Sequence, residues 1–75
     1  MDINELLQTA INETAFLHSG EDFLLKDLFK GYEWNRIPFK DRLLLGTLFL
    51  NSVRKIPSIV VIQKTSSNQQ KYRKV

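Results

Sequence analysis

Two adjacent residues, Ile56-Pro57, divide this chain into two kinds of periodicity. Upstream of them apolar residues recur every third or fourth position, the spacing of a helix face. Downstream, Ser58-Ile59-Val60-Val61-Ile62-Gln63-Lys64 is β-branched and reads as a strand. A proline pushes the residue before it out of helical geometry, so no helix is expected to cross this point. The chain must therefore join a helical part to a β part.

Within the helical part, Ile3, Leu6, Leu7, Ala10, Ile11 and Ala15 form one apolar stripe. Asp2 and Glu5 suit its start, where acids meet the positive end of the helix dipole, and Ser19-Gly20 is expected to end it. Residues 21–31 read as a short second helix closed by Gly31, with Leu24, Leu25, Leu28 and Phe29 on its buried side. Phe23-Leu24 has an alternative reading, a brief extended stretch leading into a helix that starts near Leu25. Tyr32 to Ile37 is expected to be a connecting turn, with Pro38 in the first turn of a third helix that runs to Lys55. Beyond the strand, Thr65-Ser66-Ser67-Asn68 is turn chemistry and Gln69 to Val75 returns as a second strand. The expected fold is α+β: three helices followed by a C-terminal β-hairpin. Residues 1–75 are expected to form a single winged-helix-like domain, with Leu7, Ile11, Phe29, Leu45, Phe49 and Val53 in one core.

At about 100° per residue, Phe39, Leu45, Gly46, Phe49, Leu50 and Val53 gather on one side of the third helix. Lys40, Thr47, Asn51 and Arg54 line the opposite side, with Lys55 at its edge and Leu44 among them. Charge is divided as unevenly as periodicity. Residues 1–25 carry five acids and no Lys or Arg, whereas residues 26–75 carry all 11 Lys and Arg against Asp27, Glu33 and Asp41. Such a basic half points at a negatively charged partner, nucleic acid first. Arg and Asn can make paired hydrogen bonds to guanine and adenine. Lys64, Lys71, Arg73 and Lys74 of the hairpin are expected to meet phosphates. A solvated helix face and a merely solubilising tail would carry similar residues.

The order of elements resembles the winged helix-turn-helix class. That resemblance implies a third helix in the DNA major groove and a hairpin, or wing, on phosphates or the minor groove. The chain also resembles a group of short bacterial proteins through Phe23-x-x-x-Asp27-Leu28-Phe29, then Trp34, then Arg42-x-x-x-Gly46-x-x-Phe49. This second likeness implies little about activity. The segment Gly31 to Ile37 is longer than the turn of the simplest helix-turn-helix.

Other residues invite structural readings. Arg42 falls on the apolar side of the third helix and needs a partner, Glu33 or Asp22. Trp34 is expected to plug the core or cover the junction of the second and third helices. Gly46 costs roughly 1 kcal/mol relative to alanine in mid-helix, which close approach of the first helix or a hairpin strand would explain. His18 is expected at the negative end of the first helix.

With one histidine, no cysteine and no acid cluster, most metal spacings are excluded, and no Ser/His/Asp set comes together. Binding rather than catalysis is expected, with no cofactor. The expected role is a small DNA-binding transcriptional regulator, with a homodimer as a candidate arrangement. The alternative is a protein-interaction module that uses the third-helix face or the hairpin edge. Absence of cysteine and the acidic residues Asp2 and Glu5 near the start favour a cytoplasmic setting without a secretion signal. The longest apolar runs are too short to span a bilayer.

Overall fold

A computed structural model of the protein describes residues 2–75. Helix α1 spans Ile3–Glu13, strand β1 Asp22–Leu24, helix α2 Gly31–Arg36, helix α3 Phe39–Val53, strand β2 Ile59–Lys64 and strand β3 Gln70–Lys74. Short 3-10 turns occupy Thr14–Phe16 and Leu25–Leu28. Three helices and a C-terminal antiparallel hairpin make an α+β fold compatible with a small winged-helix-like arrangement. No helix among the described residues is long and apolar enough to cross a membrane.

Asp2 caps α1 by accepting a hydrogen bond from the Asn4 backbone N–H at 2.9 Å. The helix stops at Glu13, short of the expected Gly20. The Thr14 hydroxyl turns back onto the Ile11 carbonyl at 2.6 Å, and the Thr14 carbonyl takes the Lys74 ammonium at 2.8 Å. These bonds occupy groups that a longer helix would use, and Ala15 and Phe16 are left exposed. Gly20 does adopt a left-handed conformation, at φ 91°, but in the loop that leads to β1. His18 therefore lies beyond the last turn of α1, not at its end.

The second helix is displaced from its expected place. Phe23 and Leu24 are extended, in line with the alternative reading, and belong to β1. Asp27 accepts from the Leu24 backbone N–H at 2.9 Å and fixes the following 3-10 turn. Gly31 opens a helix instead of closing one, because Glu33 accepts from the Lys30 N–H at 3.2 Å and the Trp34 N–H reaches the Lys30 carbonyl at 3.0 Å. The expected connecting turn is α2.

Strand β1 adds a third strand to the hairpin, and the sheet order is β1-β3-β2. Phe23 pairs with Tyr72 and Asp22 with Arg73, while Val60 and Val61 flank Arg73 and Tyr72 from the other side. Alternation along β3 sends Tyr72 into the core and Arg73 outward. The hairpin turns over 65–69, with Asn68 at φ 66° and the Thr65 N–H on the Gln69 carbonyl at 2.9 Å.

Tyr72 organises the core. Its ring stacks on Phe23 at 5.5 Å and meets the edge of Phe49 at 5.1 Å. Ala10, Leu28, Val53 and Ile59 complete the cluster, with Leu7, Ile11 and Phe29 packed against it as half-buried neighbours. Leu45 is buried as expected. Phe39 is not: it is 70% exposed. At 100° per residue it lies about 80° round the helix from Phe49, off the buried axis.

Candidate nucleic-acid interface

Helix α3 turns Leu45, Phe49 and Val53 inward, which fixes what it shows to solvent. Lys40, Thr47 and Asn51 are all exposed on the opposite side, and Arg54 is exposed in the turn that ends the helix. From Lys40 to Arg54 this row runs about 21 Å at 1.5 Å per residue. The Thr47 hydroxyl donates to the Leu43 carbonyl at 3.3 Å and keeps its acceptor capacity free. Lys55 is exposed beside Arg54. Among the described residues no carboxylate lies within 4.0 Å of Lys40, Arg54 or Lys55. Apolar side chains flank the polar row, with Leu43 and Phe39 exposed along one margin and Leu44 along the other.

The hairpin cations are placed differently. Lys64 is exposed at the end of β2. Arg73, however, holds Asp22 with two hydrogen bonds, from Nε at 2.6 Å and from Nη2 at 3.1 Å, and Lys71 stands 4.0 Å from the same carboxylate. Lys74 reaches inward to the Thr14 carbonyl. The Arg73 hydrogen bond holds the Asp22 carboxyl below the usual carboxylate range, and Asp22 in turn raises Arg73. Burial pushes the Tyr72 hydroxyl up, opposed by the charge of Arg54. Of the nine residues singled out in the sequence, Lys40, Thr47, Asn51, Arg54, Lys55 and Lys64 are exposed, while Lys71, Arg73 and Lys74 are tied into the fold.

Arg42 takes neither of its expected acidic partners. Asp22 is held by β3, and Glu33 caps α2. The guanidinium lies 5.4 Å from the Trp34 ring centroid and donates from Nη2 to the Asn35 carbonyl at 3.3 Å. Trp34 also leans on Phe29 at 5.8 Å, so it covers the approach of α2 to α3. A Cβ on Gly46 would meet nothing within 4 Å, so close packing does not explain that glycine.

Sequence reasoning passed over one exposed basic group. Arg36 sits 4.9 Å and Lys30 6.0 Å from the Tyr32 ring. The helical spacing of Tyr32 and Arg36 was its signal, hidden by reading 32–37 as a turn.

A solved structure described as "SCCmec type IV LP1413 - nucleic acids binding protein" has the same fold, with a TM-score of 0.74 at 20% identity. The match covers 97% of this chain and 86% of that one. No curated protein matches the chain. A family model, the domain of unknown function DUF1413, matches residues 8–74, and the protein belongs to that family.

Proposed function

We propose that this is a DNA-binding protein of the winged-helix kind, acting in transcription by binding rather than by catalysis. In this reading α3 enters the major groove, Asn51 and Arg54 meet base edges, and Lys40, Lys55 and Lys64 meet phosphates. One observation carries the reading: the exposed row Lys40, Thr47, Asn51 and Arg54, whose cations have no carboxylate within 4.0 Å among the described residues. The described activity of the structural neighbour supports it. A titration of duplex DNA by fluorescence anisotropy at two salt concentrations tests it. Binding that weakens steeply with salt is expected, since each phosphate contact releases counterions. Absence of binding at low salt would sink the proposal.

The apolar margins favour a second reading. Phe39, Leu43 and Leu44 are all exposed on the first half of α3, which suits a protein-interaction module. Chemical crosslinking or ultracentrifugation with and without DNA separates the two, because the second reading needs a protein partner and no salt-dependent DNA binding.

A further inference from the structure

Three residues that stand out in the sequence for unrelated reasons, Trp34, Arg42 and Gly46, meet at one cleft. The cleft lies between α3, α2 and the turn of the hairpin and encloses about 380 Å³. That volume is within the usual range for small-molecule sites, roughly 300–1,000 Å³. Its charge is one-sided. Lys26, Arg42 and Lys64 line it and no Asp or Glu does. Among the described residues none of these cations has a carboxylate within 4.0 Å. Asp27 borders an adjoining hollow instead, and its carboxylate is engaged by the Leu24 N–H.

Two further observations point to an occupant. The Arg42 Nε is buried and has no hydrogen-bond partner, although every other polar side-chain atom as deeply buried among the described residues has one. A buried donor of a charged group left unpaired is costly, and the residue that carries it lines the cleft. Gly46 lines the same space, and a Cβ there would enter open volume. Mid-helix glycine is unfavourable by roughly 1 kcal/mol, and the room it leaves here belongs to the cleft. Leu25, Leu43 and Leu50 supply an apolar wall, and the Trp34 ring a flat one.

We infer that this cleft binds a small organic anion, a carboxylate carried on a flat apolar body. The carboxylate meets Arg42 with Lys26 and Lys64 around it, and the apolar body lies on Leu43, Leu50 and Trp34. The site adjoins the α3 row at Thr47 and shares Lys64 with the proposed phosphate contacts, but it does not depend on the proposed function.

Sodium benzoate is a suitable probe, followed by nuclear magnetic resonance on the ¹⁵N-labelled chain. The Trp34 indole and Gly46 amide resonances are expected to move together and saturate at roughly millimolar benzoate, given so small a ligand. Benzyl alcohol, the uncharged analogue, is expected to bind about tenfold more weakly, as is benzoate to Arg42→Gln. Should Arg42→Gln fail to fold, Lys26→Gln/Lys64→Gln tests the charge at two exposed positions. Gly46→Leu, which fills the cleft from a helix-favouring residue, is expected to abolish the shifts while the chain stays folded. Benzyl alcohol binding as tightly as benzoate would overturn the inference, as would inorganic phosphate moving the same resonances equally well. So would undiminished benzoate binding in Gly46→Leu, or a short DNA duplex moving the Trp34 indole to the same position.

Discussion

Helix α3 with its terminal turn and strand β3 each carry several cations, and the two regions treat them in opposite ways. Lys40, Arg54 and Lys55 project from the helix side of the molecule with no carboxylate in reach among the described residues. Lys71, Arg73 and Lys74 are held by Asp22 and by the Thr14 carbonyl. The cause is topological. A helix at the surface has one face with no neighbours, whereas a central strand has a strand on each side and core beneath it. The lesson is that charge counted along a chain is not charge available to a partner. The C-terminal basic residues, which look most like a nucleic-acid tail, serve the fold first.

This contrast can be broken at either end. Tyr72→Ala, in the middle of β3, is expected to cost about 3–5 kcal/mol by removing the ring that joins Phe23 to Phe49. Urea denaturation measures this, and a loss below about 1 kcal/mol would show that β3 is not the structural strand. On α3 the effect should move from stability to binding. Asn51→Ala and Arg54→Ala should each cost about 1–3 kcal/mol against a preferred DNA site, with stability changed by no more than about 0.5 kcal/mol. Equal losses on all sequences would assign them to phosphate.

A smaller effect compares the cations directly. Lys40→Ala/Lys55→Ala is expected to lower the salt dependence of DNA binding by about two units at most. Lys71→Ala/Arg73→Ala/Lys74→Ala should lower it less, although it removes more charge, and should reduce the urea midpoint instead. A slope change larger than that of the α3 pair would reverse the assignment.

The smallest effect concerns acid. Asp22 is held below its ordinary pKa by Arg73, so its contribution to stability is complete above the unfolded-state pKa. That contribution fades as pH falls below about 4 and through the lower folded value. Asp22→Asn should flatten that part of the pH–stability curve. It also frees Arg73 and Lys71, so DNA binding at neutral pH should strengthen in the variant. Unchanged binding would mean that the outward face of the sheet stays away from DNA even when its charge is released.

Helix α3 was legible in the sequence because Leu45, Phe49 and Val53 repeat at strict spacing and each is buried. The switch at Ile56-Pro57 was equally plain, since β2 begins at Ile59. What failed was local. Gly31 looks the same whether it ends one helix or begins the next, and the decision rests on Glu33 reaching the Lys30 N–H. Strand β1 is only Asp22–Leu24, too short for alternation to register, and it exists because β3 offers it an edge. The candidate row on α3 followed from periodicity. The engagement of Lys71, Arg73 and Lys74 did not, because their partners lie some 50 to 60 residues away in the chain.

The strand order β1-β3-β2 has a consequence for how the molecule is made. The strand that appears last in the chain is the one both others need. During synthesis β1 and β2 emerge with nothing to pair with, and α1 packs over a core that still lacks Tyr72. The ring of contacts closes only when residues 70–74 arrive, joining Asp22 to Arg73 and Thr14 to Lys74. Closing loops of that length is slow compared with forming the helices. The helical part of this fold is therefore expected to wait, half-assembled, for a handful of late residues.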